Sequence, residues 1–180
     1  MGQDAMAGID FKISGVVETE NSIYAILVDG CSSLYFPVAC EAKHAFLVDM
    51  AMSGRAPFQV QSFGLYFTFA SLLKANGVRA TEVAIIVGKN KTALCYVDFV
   101  QENELGTKVS RIPVMMPDAM VLCAVLKVPV VLYGSVGTDF AFSIDKNIPR
   151  KSIFAFICAD IAKSERLMLL QSRDEERDEE

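Results

Sequence analysis

The sequence predicts a single α+β domain with a mixed or antiparallel sheet, built from hairpins with helices between them. The chain has 180 residues, 52% of them hydrophobic, which is enough for one well-buried core. Short β-branched and aromatic runs arrive in pairs separated by polar turns, and longer segments with helical spacing lie between the pairs. A doubly wound parallel sheet would alternate single strands with helices, so we expect hairpin pairing instead.

The first half of the chain predicts three strands followed by two helices. The polar residues Thr19, Glu20 and Asn21 separate the first two apolar runs, and Asp29-Gly30 is a turn dipeptide before the third. Helical spacing then begins, with stop signals at Ser53-Gly54 and again at Asn76-Gly77. The predicted strands cover residues 11–18, 22–28 and 33–38, and the predicted helices cover residues 42–50 and 63–75.

The second half predicts two more hairpin strands, a third helix and a mixed C-terminal region. Pro117 and Asp118 open the helix, because proline suits the first helical position and a carboxylate opposes the positive end of the helix dipole. Residues 101–108 are polar and predict a loop, and residues 152–158 fit either a strand or a helix. The predicted strands cover residues 83–87, 92–100, 109–115, 130–133 and 139–144, and the predicted helices cover residues 117–127 and 159–171.

Charge and composition divide the chain into four segments. Residues 173–180 hold six acids against two bases, so much of the net charge of -5 is local and the other 172 residues are nearly neutral. The chain therefore lacks the excess of Lys and Arg that is typical of a nucleic-acid-binding protein. We expect a flexible N-terminus at 1–10, the main domain at 11–145, a C-terminal extension ending in a helix at 146–171, and a disordered acidic tail at 172–180.

Cysteine usage and the absence of targeting signals predict a cytoplasmic protein outside the membrane. The five cysteines are an odd number without a C-x-x-C pair, which is typical of reduced buried thiols, and the single histidine, His44, makes a zinc site improbable. The longest apolar stretch, residues 119–136, is interrupted by Lys127 and Pro129 and is too short to span a bilayer. The N-terminus has neither a basic segment nor an apolar export segment.

The residues alone offer carboxylates as the main candidates for chemistry, since both common glycine-rich phosphate motifs are missing. Two or three carboxylates around a divalent ion would suit phosphodiester hydrolysis. Glu41 and Asp118 also lie at predicted helix starts, where a carboxylate stabilises the helix without any chemistry. The candidates outside the tail are Glu41, Asp49, Asp98, Asp118 and Asp139.

Candidate proton-transfer and phosphate-binding residues each have an ordinary structural alternative. His44 follows Glu41 by three residues on a predicted helix, so it is either a general base oriented by that carboxylate or a partly buried helix residue. The basic residues of the loops are either phosphate contacts or an ordinary solvated surface. These residues are Arg55, Lys74, Arg79, Lys89, Lys91 and Arg111.

Several stretches together resemble the bifunctional nuclease domain family. Residues 116–133 resemble its signature, in which Arg-Pro-Ser-Asp-Ala leads into an apolar helix and a proline follows the Asp by eleven residues, an interval kept by Asp118 and Pro129. Residues 34–45 resemble its Leu-Pro-Ile strand and Glu-bearing helix. Residues 72–77 and 82–96 resemble its helix, glycine stop and hairpin, so the likeness covers about residues 11–140 in order.

The resemblance implies an α+β fold, self-association and metal-assisted cleavage of DNA and RNA. Asp118 and Glu41 would then hold Mg or Mn or position water, with the family's Glu falling at Glu41 or, without a gap, at Ala42. The residues alone add His44 as a catalytic candidate, the general base described above. Nucleic-acid contacts would come from Arg111, Lys89 and Lys91. Under this interpretation the chain is a nuclease, a hydrolase of phosphodiesters, and a homo-oligomer.

An alternative is a non-catalytic oligomeric interaction or regulatory scaffold. The family's signature Arg and Ser fall at Met115 and Pro117, and its Thr-His-Asp falls near residues 65–67, Leu-Tyr-Phe, which can neither bind metal nor move protons. Apolar residues at such positions remove ligands and preserve packing. The mean hydropathy of +0.34 and the apolar segment 63–75 favour subunit burial under either hypothesis. A small-molecule-binding domain is a third interpretation.

Overall fold

The structure is a computed structural model, and it describes residues 8–54, 64–87, 92–103, 106–134 and 141–178. Within these ranges the chain forms eight strands and four α-helices, with a 3-10 turn at Arg150–Ser152 before the last helix. The strands are β1 (Gly8–Glu18), β2 (Ile23–Asp29), β3 (Leu34–Cys40), β4 (Val78–Val87), β5 (Ala93–Asn103), β6 (Gly106–Pro113), β7 (Val130–Tyr133) and β8 (Phe142–Ser143). The helices are α1 (Ala42–Met52), α2 (Gly64–Ala75), α3 (Met116–Leu126) and α4 (Ile153–Asp178).

The described strands form one mixed sheet in the order β6-β5-β4-β7-β1-β2-β3-β8. Neighbouring strands are antiparallel everywhere except between β4 and β7, which run parallel. The hairpins β1-β2-β3 and β4-β5-β6 supply most of the pairing, and β7 lies between them. The predicted single α+β domain with a hairpin-built mixed sheet is therefore confirmed.

The first core lies between one face of the sheet and the helices α1 and α3. Side chains alternate across β5, so Cys95, Val97 and Phe99 are buried on this face while their neighbours lie on the other. Five consecutive residues of α3, from Ala119 to Cys123, are buried, as expected for a helix that is apolar all round. In contrast, none of the residues of α2 is buried. This core sets α1, α2 and α3 on one side of the sheet.

The second core lies on the opposite face, where α4 packs across β1, β2 and β3. Val17, Ile26 and Tyr35 of the sheet contact Ile157 and Ile161 of α4. The hydroxyl of Tyr35 also donates a 2.7 Å hydrogen bond to Asp160 of α4. The C-terminal extension is therefore anchored on the domain by apolar burial and by a hydrogen bond.

The structure corrects several predicted boundaries. Strand β1 already begins at Gly8, because Gly8, Ile9 and Asp10 pair with β7, so only residues 1–7 of the predicted flexible N-terminus lie outside the described residues. The polar segment 101–108 is mostly strand rather than loop, since β5 and β6 pair up to Asn103 and Gly106. The predicted strand at 139–144 is described only as β8.

The C-terminal segment is the largest correction. Residues 152–158 fitted either a strand or a helix; Ser152 ends the 3-10 turn and residues 153–158 are α-helical, and α4 continues to Asp178 instead of fraying after residue 171. Among the described residues, no helix combines the length and the apolar character that crossing a membrane requires.

Candidate functional site

Three helices bring one polar side chain each to a common point. Helix α1 starts after the extended residue Glu41 and carries His44 in its first turn. Helix α3 starts with Pro117 in its first turn, and Asp118 follows it. Helix α2 supplies Tyr66 near its start. These residues, His44, Tyr66 and Asp118, are the Asp118 cluster.

One carboxylate oxygen organises the Asp118 cluster. The hydroxyl of Tyr66 donates a short hydrogen bond to Oδ1 of Asp118, and Nε2 of His44 lies 3.2 Å from the same oxygen. The side chain of His44 is 8% exposed, whereas that of Asp118 is 38% exposed. The carboxylate therefore faces solvent on one side and is held by two buried or half-buried donors on the other.

The protonation of the Asp118 cluster follows from its geometry. Burial raises the pKa of Tyr66, and its hydrogen bond to the Asp118 carboxylate raises it further, so the phenol remains neutral and donates. The imidazole must carry its proton on Nε2 to bond to Asp118. The other ring nitrogen, Nδ1, is buried and has no hydrogen-bond partner among the described residues.

Glu41 lies close to the Asp118 cluster, but its carboxylate has another partner. Nζ of Lys43 lies 2.9 Å from Oε2 of Glu41, and both side chains are largely exposed. The hydrogen bond and the charge of Lys43 lower the pKa of Glu41, and the smaller influences of His44 and Asp118 largely oppose each other. Glu41 thus belongs to the surface beside the cluster rather than to its hydrogen-bonded centre.

The residues in this region do not fit the divalent ion that the family resemblance implies. Mg and Mn are held by several oxygen ligands, usually including more than one carboxylate. The part of the chain that the structure describes holds no group of three or more His, Cys, Asp or Glu side chains arranged for a metal ion. Oδ1 of Asp118 already accepts hydrogen bonds from Tyr66 and His44, and Glu41 is paired with Lys43.

Arg111 lies on the opposite face of the sheet from Asp118. It pairs in register with Asp98, whose neighbours Val97 and Phe99 point into the first core. Its Nε and Nη2 donate to the two carboxylate oxygens of Asp98 at 2.7 and 2.6 Å, and its guanidinium lies 5.7 Å from the ring centroid of Tyr96. The structure therefore does not bring Arg111 together with Asp118.

The remaining candidates from the sequence are dispersed. Asp49 is exposed on α1, and Asp98 is the partner of Arg111. Lys89, Lys91, Arg55 and Asp139 lie outside the described residues. Lys74 and Arg79 line an open cavity of about 650 Å³ at the end of α2, away from Asp118.

Tyr66 is the member of the Asp118 cluster that the sequence interpretation missed. Residues 65–67 were expected neither to bind metal nor to move protons, and the hydrogen bond from the Tyr66 hydroxyl to Asp118 was not foreseen. The signal that points to it is its position, because the resemblance aligns it with the family's Thr-His-Asp at the start of the second helix.

The chemistry open to the Asp118 cluster is limited by burial. His44 is too buried for either ring nitrogen to meet a substrate directly, and Nε2 is already engaged with Asp118. The accessible group is the outer side of the Asp118 carboxylate.

Compared with models of known protein families the chain matches none, and no curated protein matches it significantly.

Proposed function

We propose that this chain is a divergent bifunctional-nuclease-like domain that has lost its metal centre and works as a non-catalytic, self-associating interaction or regulatory scaffold in the cytoplasm. The observation that carries the proposal is the double engagement of Oδ1 of Asp118 by Tyr66 and His44. A carboxylate held in this way joins three helices and is a poor ligand for a divalent ion.

The family assignment is supported by convergence. The resemblance selects Glu41 or Ala42 at the start of the first helix, the start of the second helix near Tyr66 and the signature Asp118, which are far apart in the sequence. Tyr66 and Asp118 meet through a hydrogen bond, and Glu41 lies close to them. Unrelated positions would have no reason to meet, so the convergence supports a shared architecture in which the residue types have changed.

The scaffold role is supported by the chemistry of those residue types. A tyrosine hydroxyl and a histidine ring N–H each donate one hydrogen bond to a carboxylate, which satisfies these two donors and stabilises packing. The five cysteines are all unpaired, and Cys95 and Cys123 are buried with their pKa values raised by burial to about 12, which suits a reducing compartment.

The test is a cleavage assay on single-stranded DNA and RNA with Mg or Mn, using the wild type beside Asp118→Asn. We expect neither protein to cleave. We also expect added Mn to leave the thermal midpoint of the wild type unchanged, because the donor set does not bind it. Cleavage by the wild type that disappears in Asp118→Asn would overturn the proposal.

Metal-assisted cleavage of DNA or RNA is the second candidate function, and one observation favours it. The Asp118 side chain is 38% exposed, and its Oδ2 accepts no hydrogen bond from the described residues. An exposed carboxylate oxygen beside the exposed carboxylate of Glu41 offers a cation two oxygens from neighbouring helix starts. This function requires cleavage in the same assay and its loss in both Asp118→Asn and Glu41→Gln.

A further inference from the structure

The two edges of the described sheet differ in length. At one edge, β8 is only two residues long. At the other edge, β6 runs for eight residues, and its pairing with β5 contains no bulge. Proteins usually keep edge strands short or bulged, because an unpaired edge is a template for another strand. Among the described residues, no strand pairs with the outer side of β6.

The alternation of hydrogen bonds shows which backbone groups of β6 are free. The N–H of Val114 donates to the carbonyl of Cys95 at 3.0 Å, in the same register as the β5-β6 pairing. Hydrogen-bonded and non-hydrogen-bonded pairs alternate along an antiparallel ladder, so every second residue of β6 directs its N–H and C=O away from β5. Pro113 lies at such a position and has no N–H to donate. The other outward groups, which we call the β6 edge, belong to Thr107, Val109 and Arg111.

A small open cavity lies beside the β6 edge, between α2 and the sheet. Its volume is about 190 Å³, and its apolar lining includes Phe69 and Leu73 of α2 with Phe99 and Ile112 of the sheet. An apolar cavity of about 150 Å³ can hold a benzene ring, so this cavity has room for one aliphatic side chain. Ser110 of β6 also lines the cavity and is small, so a side chain opposite it on an added strand can lean across it.

The charges along β6 favour an acidic partner over a second copy of this strand. Residues 106–113 contain Lys108 and Arg111 and no acid. Arg111 is held by Asp98, whereas Lys108 is exposed and has no carboxylate partner among the described residues. Like charges on neighbouring strands are destabilising, and opposite charges stabilise the pair. A carboxylate opposite Lys108 therefore suits this edge better than another β6 strand does.

We infer that an extended peptide segment of another protein adds to the β6 edge as an antiparallel strand. Its backbone pairs with the outward N–H and C=O groups, and antiparallel pairing is the more stable arrangement per residue. An apolar side chain opposite Ser110 enters the cavity, and an acid two residues later in the peptide lies opposite Lys108 on the same face. This inference deepens the proposed scaffold function, on which it rests, by naming the class of partner.

Fluorescence anisotropy with a labelled peptide tests the inference on the full chain. The probe is Ser-Val-Thr-Leu-Val-Glu-Ser with blocked ends, in which Leu falls opposite Ser110 and Glu falls opposite Lys108. We expect saturable binding with a Kd of about 100 μM or tighter. The control peptide carries Lys in place of Glu and should bind about tenfold more weakly, because it sets two cations side by side.

Val109→Pro tests whether the backbone of the β6 edge forms the contact. The N–H of Val109 points outward, so proline removes one donor for the peptide and no hydrogen bond between β5 and β6. We expect the Kd of the Glu peptide to rise by about tenfold or more. The matched control is Val109→Ala, which keeps the N–H and should change the Kd by no more than about threefold. Far-UV circular dichroism and the thermal midpoint establish that each variant is folded.

Lys108→Glu tests the charge pairing without any change to the backbone. It should weaken binding of the Glu peptide and strengthen binding of the Lys peptide, a reversal that requires the two side chains to meet. The absence of wild-type binding at about 1 mM Glu peptide would overturn the inference. Equal binding by Val109→Ala and a folded Val109→Pro, or an unchanged peptide preference in Lys108→Glu, would overturn it as well.

The outcomes separate the β6 edge from the proposed function. A chain that binds neither peptide and cleaves no nucleic acid overturns the β6 edge as the docking site and leaves the non-catalytic scaffold in place. A chain that binds the Glu peptide through the β6 edge and also cleaves nucleic acid through Asp118 supports this inference and overturns the non-catalytic function.

Discussion

His44 and Asp118 lie 74 positions apart in the sequence, and Nε2 of the histidine is 3.2 Å from Oδ1 of the aspartate. This contact joins the first turns of α1 and α3, the two helices that cover the first core. Since the histidine is buried, its polar edge depends on this one acceptor to offset the loss of water. The Asp118 cluster therefore holds the helices together, and its contribution to the free energy of unfolding can be measured.

Replacing Asp118 with alanine should lower the free energy of unfolding by about 2–3 kcal/mol, because the buried His44 and the half-buried Tyr66 both lose their acceptor. Urea denaturation measures this loss. Asp49→Ala is the matched control, since Asp49 is an exposed carboxylate on α1 and its removal should change stability by less than about 0.5 kcal/mol. Equal effects of the two substitutions would contradict the role of the cluster.

Asp29 should make the protein sensitive to acid. Burial opposes ionisation of Asp29, but backbone hydrogen bonds from Leu34 and Ser33 outweigh it and hold its pKa below the ordinary value of 3.8. A lowered folded pKa stabilises the fold above pH 3.8, and this stability is lost as the pH falls through the folded value. Asp29→Asn should remove that part of the acid dependence and cost about 1–2 kcal/mol at pH 7.

The measurement is the free energy of unfolding from pH 7 down to pH 2, compared between the wild type and Asp29→Asn. Asp49→Asn serves as the exposed control. If the free energy of unfolding falls with pH equally in the wild type and in Asp29→Asn, other carboxylates cause the loss of stability in acid.

Tyr133 should contribute to alkaline unfolding. Burial raises its pKa from 10.0, and the hydrogen bond to the Glu82 carboxylate brings it to about 12. A raised folded pKa gives stability that is fully present below pH 10 and is lost as the pH rises through about 12. Tyr133→Phe should therefore flatten the stability curve between these pH values. Tyr96→Phe controls for the loss of a phenol from the same face, and an equal flattening there would contradict the assignment.

Lys127 offers a stabilising substitution. It ends α3 in the left-handed region, with φ 57° and ψ 42°, a conformation that costs a side-chain-bearing residue about 1 kcal/mol. Lys127→Gly should raise the free energy of unfolding by about 0.5–1 kcal/mol, because glycine is the preferred residue after a helix C-terminus. Lys127→Ala keeps the strain and should give no gain. Thermal denaturation of the three proteins distinguishes the backbone effect from loss of the lysine charge.

Most of the fold was accessible from local patterns. The hairpins were predicted because polar turns separate period-two runs, and α3 was predicted because Pro117 and Asp118 are strong helix-start residues. The parallel pairing of β4 and β7 was not predicted, because strand order depends on how helices pack after the strands have formed. The extent of α4 was also missed, since the apolar spacing from which its C-terminal part was predicted ends at residue 171.

Only part of the candidate site could be predicted from the sequence. Asp118 and His44 were selected from the sequence, and the structure brings them together. Their partnership could not be derived, because Glu41 lies three residues from His44 and was the nearer carboxylate. Tyr66 was missed since an aromatic residue in an apolar helix is ordinarily a packing residue, and its hydroxyl acquires a role only from the tertiary approach of α2 to α3.

Strand β7 is only four residues long, yet it pairs with β1 on one side and with β4 on the other. Without β7, the hairpin units β1-β2-β3 and β4-β5-β6 would each keep an unpaired strand edge at β1 and at β4, and edges of this kind favour aggregation. Those four residues therefore close two strand edges at once, and a substitution that weakens the pairing of β7 would expose both.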